Sequence, residues 1–574
     1  MRIDLTSSGR LTPSLAKQLN ATADRARAFY NDMISRLAIG KEDDLDWWVS
    51  GLAGRNTYVC ELFLECCYVV LVRELLITGE LSEIVVGSKP LGKTIRSVSQ
   101  DLGVPIKITV QDDLLEPIGN ILLCLLDCLR DIVRQIYRTW LCRTILPSRR
   151  GPLPDNFTLV ELFVLDGSFD KGHFKDRYYE NFGGILCKEK EKGTVFFANM
   201  AVRLKNLHRI MRSLRSARQR FLIQEEILKT SDFAYAWSYP LRSIRHFPRQ
   251  ALLDGIDVTP LVRRAWWKHL FSSRSIEAVL KFRFIKRLKD YGVSLRHVID
   301  WFENQDMDKA FNMGLRRFFP ETTVVGYQGF DTQKYFLCAY PIEIERTSGV
   351  LPHAVAVCGP KLVAERKRFC RDLQVETAPA FRYMNLWKEG GKKTEAPFFR
   401  VLIILPLETQ SAMEILQLAI ETVVSCDMEN IRFLLKPHPA LRLDTICDHK
   451  HSLPSALRIV EGDISQYWEQ VDLIMGNTSS ALLEGAAMGI PVIIVGSLHG
   501  ITNNPIPETL AQDIWRLAFT KEEVLSSLRF FMSCSSEDKQ RFVEMGREIR
   551  EGYFSPTTRA SVLRLFRISE NCCH

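Results

Sequence analysis

The fifteen cysteines contain no CxxC pair, their number is odd, and most sit in apolar runs such as Cys60-Glu-Leu-Phe-Leu-Glu-Cys-Cys67 and Cys124-Leu-Leu-Asp-Cys128. That argues against a zinc site and a disulfide framework, and for reduced, buried thiols in a cytoplasm. The opening residues, Met1-Arg-Ile-Asp-Leu-Thr-Ser-Ser, lack the apolar stretch of a secretory leader, so a cytoplasmic location is expected. No apolar run reaches the ~18–20 residues that span a bilayer. Residues 118–129 come nearest, but Asp127, Arg130, Asp131 and Arg134 break the run, which predicts a buried or amphipathic helix instead. Internal repeats and low-complexity tracts are also missing.

What remains has the make-up of a globular protein: 574 residues, 46% hydrophobic and 25% charged. This composition excludes a disordered tail, a collagen and a multi-span transporter, and the length calls for two to four domains. The net charge of +8 is unevenly spread, with 16 Lys+Arg against 22 Asp+Glu from residue 398 onward, and 60 against 46 before it. A basic front and an acidic back imply two domains with different partners.

The last third alternates short apolar strands with helices. Strands are expected at residues 400–405, 431–436, 457–460, 471–475 and 491–495, with helices at 411–424 and 480–488. That is the pattern of a parallel sheet covered on both faces, which binds ligands where loops leave the carboxyl ends of its strands. In the front two-thirds, strands are expected at 81–86, 106–110, 159–165, 194–198, 323–327 and 353–357, with helical insertions over 202–230 and 260–315. The polar, Gly/Lys-rich stretch Trp387-Lys-Glu-Gly-Gly-Lys-Lys-Thr-Glu-Ala-Pro397 is the expected linker. Two α/β domains joined there leave a cleft between them.

Two motifs in the second domain carry chemistry. In Lys436-Pro-His-Pro439, prolines fix the backbone around His438 at the end of a buried strand, where a phosphate would sit. In Gly476-Asn-Thr-Ser-Ser480-Ala-Leu-Leu-Glu484, a strand ends and a helix begins. The helix's free N–H groups and the hydroxyls of Thr478, Ser479 and Ser480 make an anion site, while Glu484 one turn on reaches ribose hydroxyls. A plain Ser/Thr helix cap is the simpler account of the same residues.

Together the His-Pro loop and the Ser-Ser helix start, about forty residues apart, resemble the nucleotide-sugar half of GT-B glycosyltransferases. Within that fold they resemble the Kdo transferases and bacterial sialyltransferases, which use CMP-activated sugars and carry "HP" and "SS" motifs; the CDP-glycerol glycerophosphotransferases share a related arrangement. The resemblance covers residues 400–496. It implies that His438, Ser479 and Ser480 contact the donor phosphate and Glu484 the ribose, with Lys436 and Thr478 also at the donor. Weaker landmarks are Trp47-Trp48, Arg55-Asn56, Gly326-Tyr-Gln-Gly329, Pro352-His-Ala-Val-Ala-Val-Cys-Gly359 and Pro379-Ala-Phe-Arg-Tyr383. Relatives often have Gln-His where this chain has Gln328-Gly329, so that histidine's role does not carry over.

A transferase needs a carboxylate at the acceptor, as base or nucleophile. Asp166, in Val164-Leu-Asp-Gly-Ser-Phe-Asp170, is the candidate catalytic residue. It resembles the acidic-acidic-Gly motif of those families, although Leu165 replaces one acid; Asp170 and Asp331 are alternates. The strings Asp44-Leu-Asp46 and Asp306-Met-Asp308 are assigned to solvated helix faces, and no metal or other cofactor is expected.

The expected fold is therefore α/β and GT-B-like, with two Rossmann-like domains facing a central cleft: residues 1–385 for the acceptor, a linker over 386–397, and 398–574 for the donor. The expected activity is transfer of Kdo or another nonulosonic acid from a CMP-linked donor to a lipopolysaccharide, capsule or other surface glycan. The alternatives are a UDP-sugar or CDP-glycerol user, including an epimerase, and a non-catalytic glycan-assembly scaffold. The stretch Arg203–Arg220 holds seven Lys/Arg and no acid, and Arg263-Arg-Ala-Trp-Trp-Lys268 adds a second basic patch. Both suit peripheral contact with anionic inner-membrane lipid near a lipid-linked glycan acceptor, and no nucleic-acid module is recognisable.

Overall fold

The computed structural model describes residues 1–111, 116–146, 153–170, 173–179, 193–330, 333–388, 397–446 and 453–568. Most of the expected linker, and Asp331, lie outside them. Two large sheets dominate. The first has seven strands in the order Val375–Thr377, Ala354–Val357, Thr323–Gln328, Leu295–Trp301, Phe157–Leu165, Thr194–Ala201 and Phe221–Leu222, with every neighbouring pair parallel. The second has six, in the order Leu457–Ile459, Ile431–Lys436, Phe399–Ile404, Leu473–Gly476, Val492–Val495 and Trp515–Ala518, again all parallel. This is the expected α/β, GT-B-like architecture of two Rossmann-like sheets.

Parallel strands covered on both faces must be apolar throughout. Leu473–Gly476 and Val492–Val495 are buried at every position. The following helix, Ala481–Ala487, comes so near its sheet that a Cβ on Gly485 would lie 2.2 Å from Ile474 Cδ1. Glycine is what the helix–sheet spacing requires there.

Residues 1–110 add a third parallel sheet, Arg2–Leu5, Glu83–Val86 and Lys107–Val110, so residues 1–385 hold two such sheets and not one. Its helices bury Trp47, Trp48 and Arg55. The Arg55 guanidinium reaches Glu345 Oε1 at 2.8 Å, Asn31 Oδ1 at 3.0 Å and the Leu337 carbonyl at 2.9 Å. Arg55 therefore ties this N-terminal region to the segment 333–345 that follows the strand Thr323–Gln328 of the first sheet. Leu11 N donates to Leu498 O at 2.7 Å, tying the same region to the second sheet's loops.

Several expectations change. The insertion assigned to 260–315 contains Leu295–Trp301, a central strand of the first sheet, between the helices Ser273–Asp290 and Asp306–Phe318. Its Arg296, His297 and Asp300 disguise it, yet His297 and Asp300 are both buried. Asp46, Asp306 and Asp308 are also buried rather than solvated. Asp46 is ion-paired with Arg242 at 2.8 Å and Asp308 is held by the backbone N–H groups of Glu303 and Gln305, each at 3.0 Å. Residues 118–129 belong to a helix, Glu116–Ile145, whose apolar side is largely exposed.

The helix Arg559–Leu565 follows the second sheet in sequence but packs into the first sheet's core, burying Val562, Leu563, Leu565 and Phe566 among Val325, Ala356 and Phe381. The Leu565 carbonyl lies 3.1 Å from His297 Nε2 on the central strand. Burial lowers the His297 pKa to about 4, so the imidazole is neutral.

Candidate functional site

Each large sheet has a point where its order reverses, and in open α/β sheets ligands bind outside the carboxyl ends there. In the first sheet it falls between Leu295–Trp301 and Phe157–Leu165; in the second, between Phe399–Ile404 and Leu473–Gly476. The loop that follows Thr323–Gln328 in the first sheet meets the loop that follows Leu473–Gly476 in the second, where the Gln333 amide donates to Thr478 O.

On the second-sheet side, Lys436 ends its strand and is buried. His438 Nδ1 accepts from Ala440 N at 3.1 Å, so the ring hydrogen sits on Nε2, leaving a donor free to meet an anion. Burial, then the charges of Arg177 and Lys436, push the His438 pKa down, so the imidazole is neutral at pH 7. The turn after Gly476 is tight: Thr478 has φ +50°, a left-handed conformation that costs a non-glycine residue roughly 1–2 kcal/mol. It is clamped from both sides, since Thr478 N donates to Asn503 O at 2.9 Å and the Gln333 amide of the first lobe donates to Thr478 O. The Thr478 hydroxyl donates to Asn477 Oδ1 at 3.0 Å, Ser479 Oγ accepts from Ala481 N at 3.4 Å, and Ser480 precedes the short helix carrying Glu484 without a side-chain capping bond. Burial pushes the Glu484 carboxyl up to about 7, opposed by Arg382 and reinforced by Asp463.

The first lobe brings residues the sequence did not single out. Arg177 lies within electrostatic reach of His438 and of Asp463, and Arg382 within reach of Glu484. An aromatic cluster at the carboxyl ends of the central strands sets both arginines: Tyr178 packs on Trp301 with ring centroids 4.4 Å apart, and Tyr179 on Phe381 at 5.7 Å. Glu303, just past that strand, accepts from Trp301 Nε1 at 3.1 Å and lies in reach of Tyr178. Arg382 sits within the landmark Pro379-Ala-Phe-Arg-Tyr383, which was the available signal. Glu303 carries no such signal, because it follows a strand whose sequence pattern reads as helix. At Gly329 a Cβ would come within 2.5 Å of Tyr327 Cε1 and 2.9 Å of Trp301 Cη2, so these aromatics fill the space a larger residue would need.

Lys436 and His438 thus leave one strand of the second sheet and Thr478–Ser480 and Glu484 another, with Asp463 in electrostatic reach of Lys436 and of Glu484. Asp166 ends the strand Phe157–Leu165 beside the first reversal point, where it is engaged differently. Its carboxylate is ion-paired with Arg203 Nε and accepts from Arg203 N at 3.2 Å, and Arg203 holds its pKa below the usual range despite partial burial. A carboxylate so held is a weak base while the pair stands. Asp170 is exposed on the hairpin that follows.

Beneath Glu303 lies a buried polar cluster. Glu161, Asp300 and Asp308 bring carboxylate oxygens within 4.8 Å of one another. Glu161 accepts from Lys281 Nζ and Asn199 Nδ2, and Asp300 Oδ2 accepts from Asn312 Nδ2 at 2.6 Å. Burial and the neighbouring Glu161 push Asp300 well above the carboxylate range, while burial raises Asp308 to about 7. Lys281 is ion-paired with Glu161, and Asp308 in turn fixes the backbone of Glu303.

No family model and no curated protein matches the chain. Solved structures share its chain path. A UDP-GlcNAc 2-epimerase from Neisseria meningitidis bound to UDP-GlcNAc has a TM-score of 0.42 at 11% identity, over 72% of this chain and 99% of that one. A UDP-forming α,α-trehalose-phosphate synthase from Burkholderia xenovorans has a TM-score of 0.39 at 10% identity, over 72% and 98%. At such identities these are likenesses of chain path alone, and they say nothing of what this chain binds.

Proposed function

We propose that the protein is a nucleotide-sugar enzyme of GT-B type, a transferase that holds its donor between the two large sheets. The observation that carries this is the convergence of Arg177 from one lobe with Lys436 and His438 from the other. Arg177 and Lys436 both lie in electrostatic reach of His438, a set of nitrogen donors that suits a donor phosphate, and Glu484 suits the ribose. In the finer reading the donor is CMP-linked, a Kdo or other nonulosonic acid, and the acceptor a surface glycan; this rests on the HP and SS motifs. Asp166 and Glu303 are the two candidate carboxylates for the acceptor, one at the end of each central strand. No metal is assigned a role, since the side-chain donors can balance the leaving phosphate's charge.

The test is a thermal-shift panel of CMP, CDP, UDP, GDP and ADP. A ligand at 100 times its dissociation constant stabilises by about 2.7 kcal/mol. Stabilisation by CMP alone, lost in Arg177→Ala and His438→Ala, supports the finer reading. Preference for UDP or CDP keeps the site and transfers the assignment to the UDP-sugar or CDP-glycerol alternative. Stabilisation that survives both substitutions refutes the site. No response to any nucleotide favours the scaffold. Turnover assays of Asp166→Asn and Glu303→Gln then decide which carboxylate serves the acceptor.

A further inference from the structure

Among the described residues no helix is long and apolar enough to cross a membrane. Yet the helix Glu116–Ile145 exposes Leu122, Leu126, Leu129, Val133, Ile136 and Trp140, each between 53% and 65% accessible. At 100° per residue these positions fall within about 40° on either side of one line, and they run some 27 Å along the axis. Tyr137 and Leu123 widen the stripe. The opposite side of the helix is satisfied, with Cys128, Gln135 and Cys142 buried and Gln135 Oε1 accepting from Trp237 Nε1 at 3.0 Å. Its charges pair along the polar flank, Arg130 with Asp127 and Arg134 with Asp131. An apolar stripe this long is unusual on a monomer's surface and marks a contact.

We propose that this face docks the protein on an anionic lipid bilayer, with Glu116–Ile145 lying in the headgroup plane. The choice of occupant rests on charge. The helix Leu204–Ser216 packs beside it, and buries its own apolar side through Leu207, Ile210, Met211 and Leu214. Apart from Leu204 its apolar side chains are thus taken up by the core, and it presents Lys205, Arg209 and Arg212 to solvent. At the other end the helix Thr259–His269 packs on the side of Glu116–Ile145 turned away from the stripe, where Cys124 Sγ donates to the Lys268 carbonyl at 3.7 Å, and exposes Trp267, Arg263 and Lys268. The two basic patches of the sequence thus flank a third element that carries the apolar surface. An apolar stripe that ends in Tyr137 and Trp140, on a helix whose two neighbours expose cations and Trp267, matches an interface of acyl chains, anionic headgroups and interfacial aromatics. A second copy applied to the same face would set cations against cations.

Flotation of the full-length chain with vesicles tests this, comparing phosphatidylcholine alone with phosphatidylcholine containing a quarter phosphatidylglycerol. We expect binding to the anionic vesicles that weakens as salt rises. The exposed double substitution Leu126→Glu/Val133→Glu should cut binding about tenfold without moving the melting temperature. The triple Lys205→Gln/Arg212→Gln/Lys268→Gln should cut it severalfold and flatten its salt dependence. Failure to float, or unchanged flotation of the Leu126→Glu/Val133→Glu variant, overturns the proposal. So does a dimer in sedimentation that this variant dissolves while neither form binds vesicles.

Discussion

The two large sheets solve the same architectural problem with different materials. The second is held by aliphatic strands and close helix packing at Gly485, and its polar residues gather at the carboxyl ends, where a ligand would use them. The first places ionisable side chains inside its central strands: Glu161, His297 and Asp300, with Lys281 and Asp308 beneath. Removing one member of such a buried group leaves its partner's charge uncompensated. The first lobe therefore owes its integrity to a charge arrangement, and the second to shape.

The sharpest way to break that contrast is Lys281→Met, which strands Glu161 and Asp308 in a dry interior. We expect a loss of roughly 3–5 kcal/mol by chemical denaturation, and recovery of much of it if Glu161→Gln is added. In the second lobe, Gly485→Val forces atoms against Ile474 and should cost about 1–3 kcal/mol with no dependence on pH. Ser479→Ala in the same lobe should leave the melt within about 0.5 kcal/mol of the parent while weakening nucleotide stabilisation.

The pH response sharpens the comparison further. The Asp308 pKa is raised in the fold to about 7, so the native state holds a proton that the unfolded chain has released. Its contribution is full below the ordinary carboxylate pKa, falls as pH rises toward about 7, and is flat above. Denaturation between pH 5 and 8 should show that decline, and Asp308→Asn should reduce its slope. A modest effect belongs to the contact between lobes. Gln333→Ala removes the amide that clasps Thr478 O, and should cost about 1 kcal/mol in the unfolding of the ligand-free protein.

The same contrast explains what the sequence made legible. Strands such as Val492–Val495 announce themselves because burial on both faces demands unbroken apolar runs, and the Lys436–Pro439 and Gly476–Ser480 turns stand out against them. Leu295–Trp301 does not, because Arg296, His297 and Asp300 interrupt its pattern; the burial of His297 and Asp300 depends on partners outside the strand, at Leu565, Thr323 and Asn312. Glu303 disappeared with its strand. Arg177 and Arg382 were hidden for another reason: each gains meaning only from the opposing lobe, a relation no local spacing records. The stripe on Glu116–Ile145 was visible as amphipathicity, but its exposure depended on which side the neighbouring helices took.

The return of Arg559–Leu565 to the first sheet has a consequence for how the molecule is made. At ~5–20 residues per second, synthesis needs on the order of ten seconds or more to pass from Thr377 to Phe566. For that time the earlier lobe must wait on the ribosome without the side chains that close its core, leaving Val325, Ala356 and Phe381 uncovered. Completion of one lobe is thus timed by translation of the other, and a chaperone that shields the first sheet would be needed early and released late.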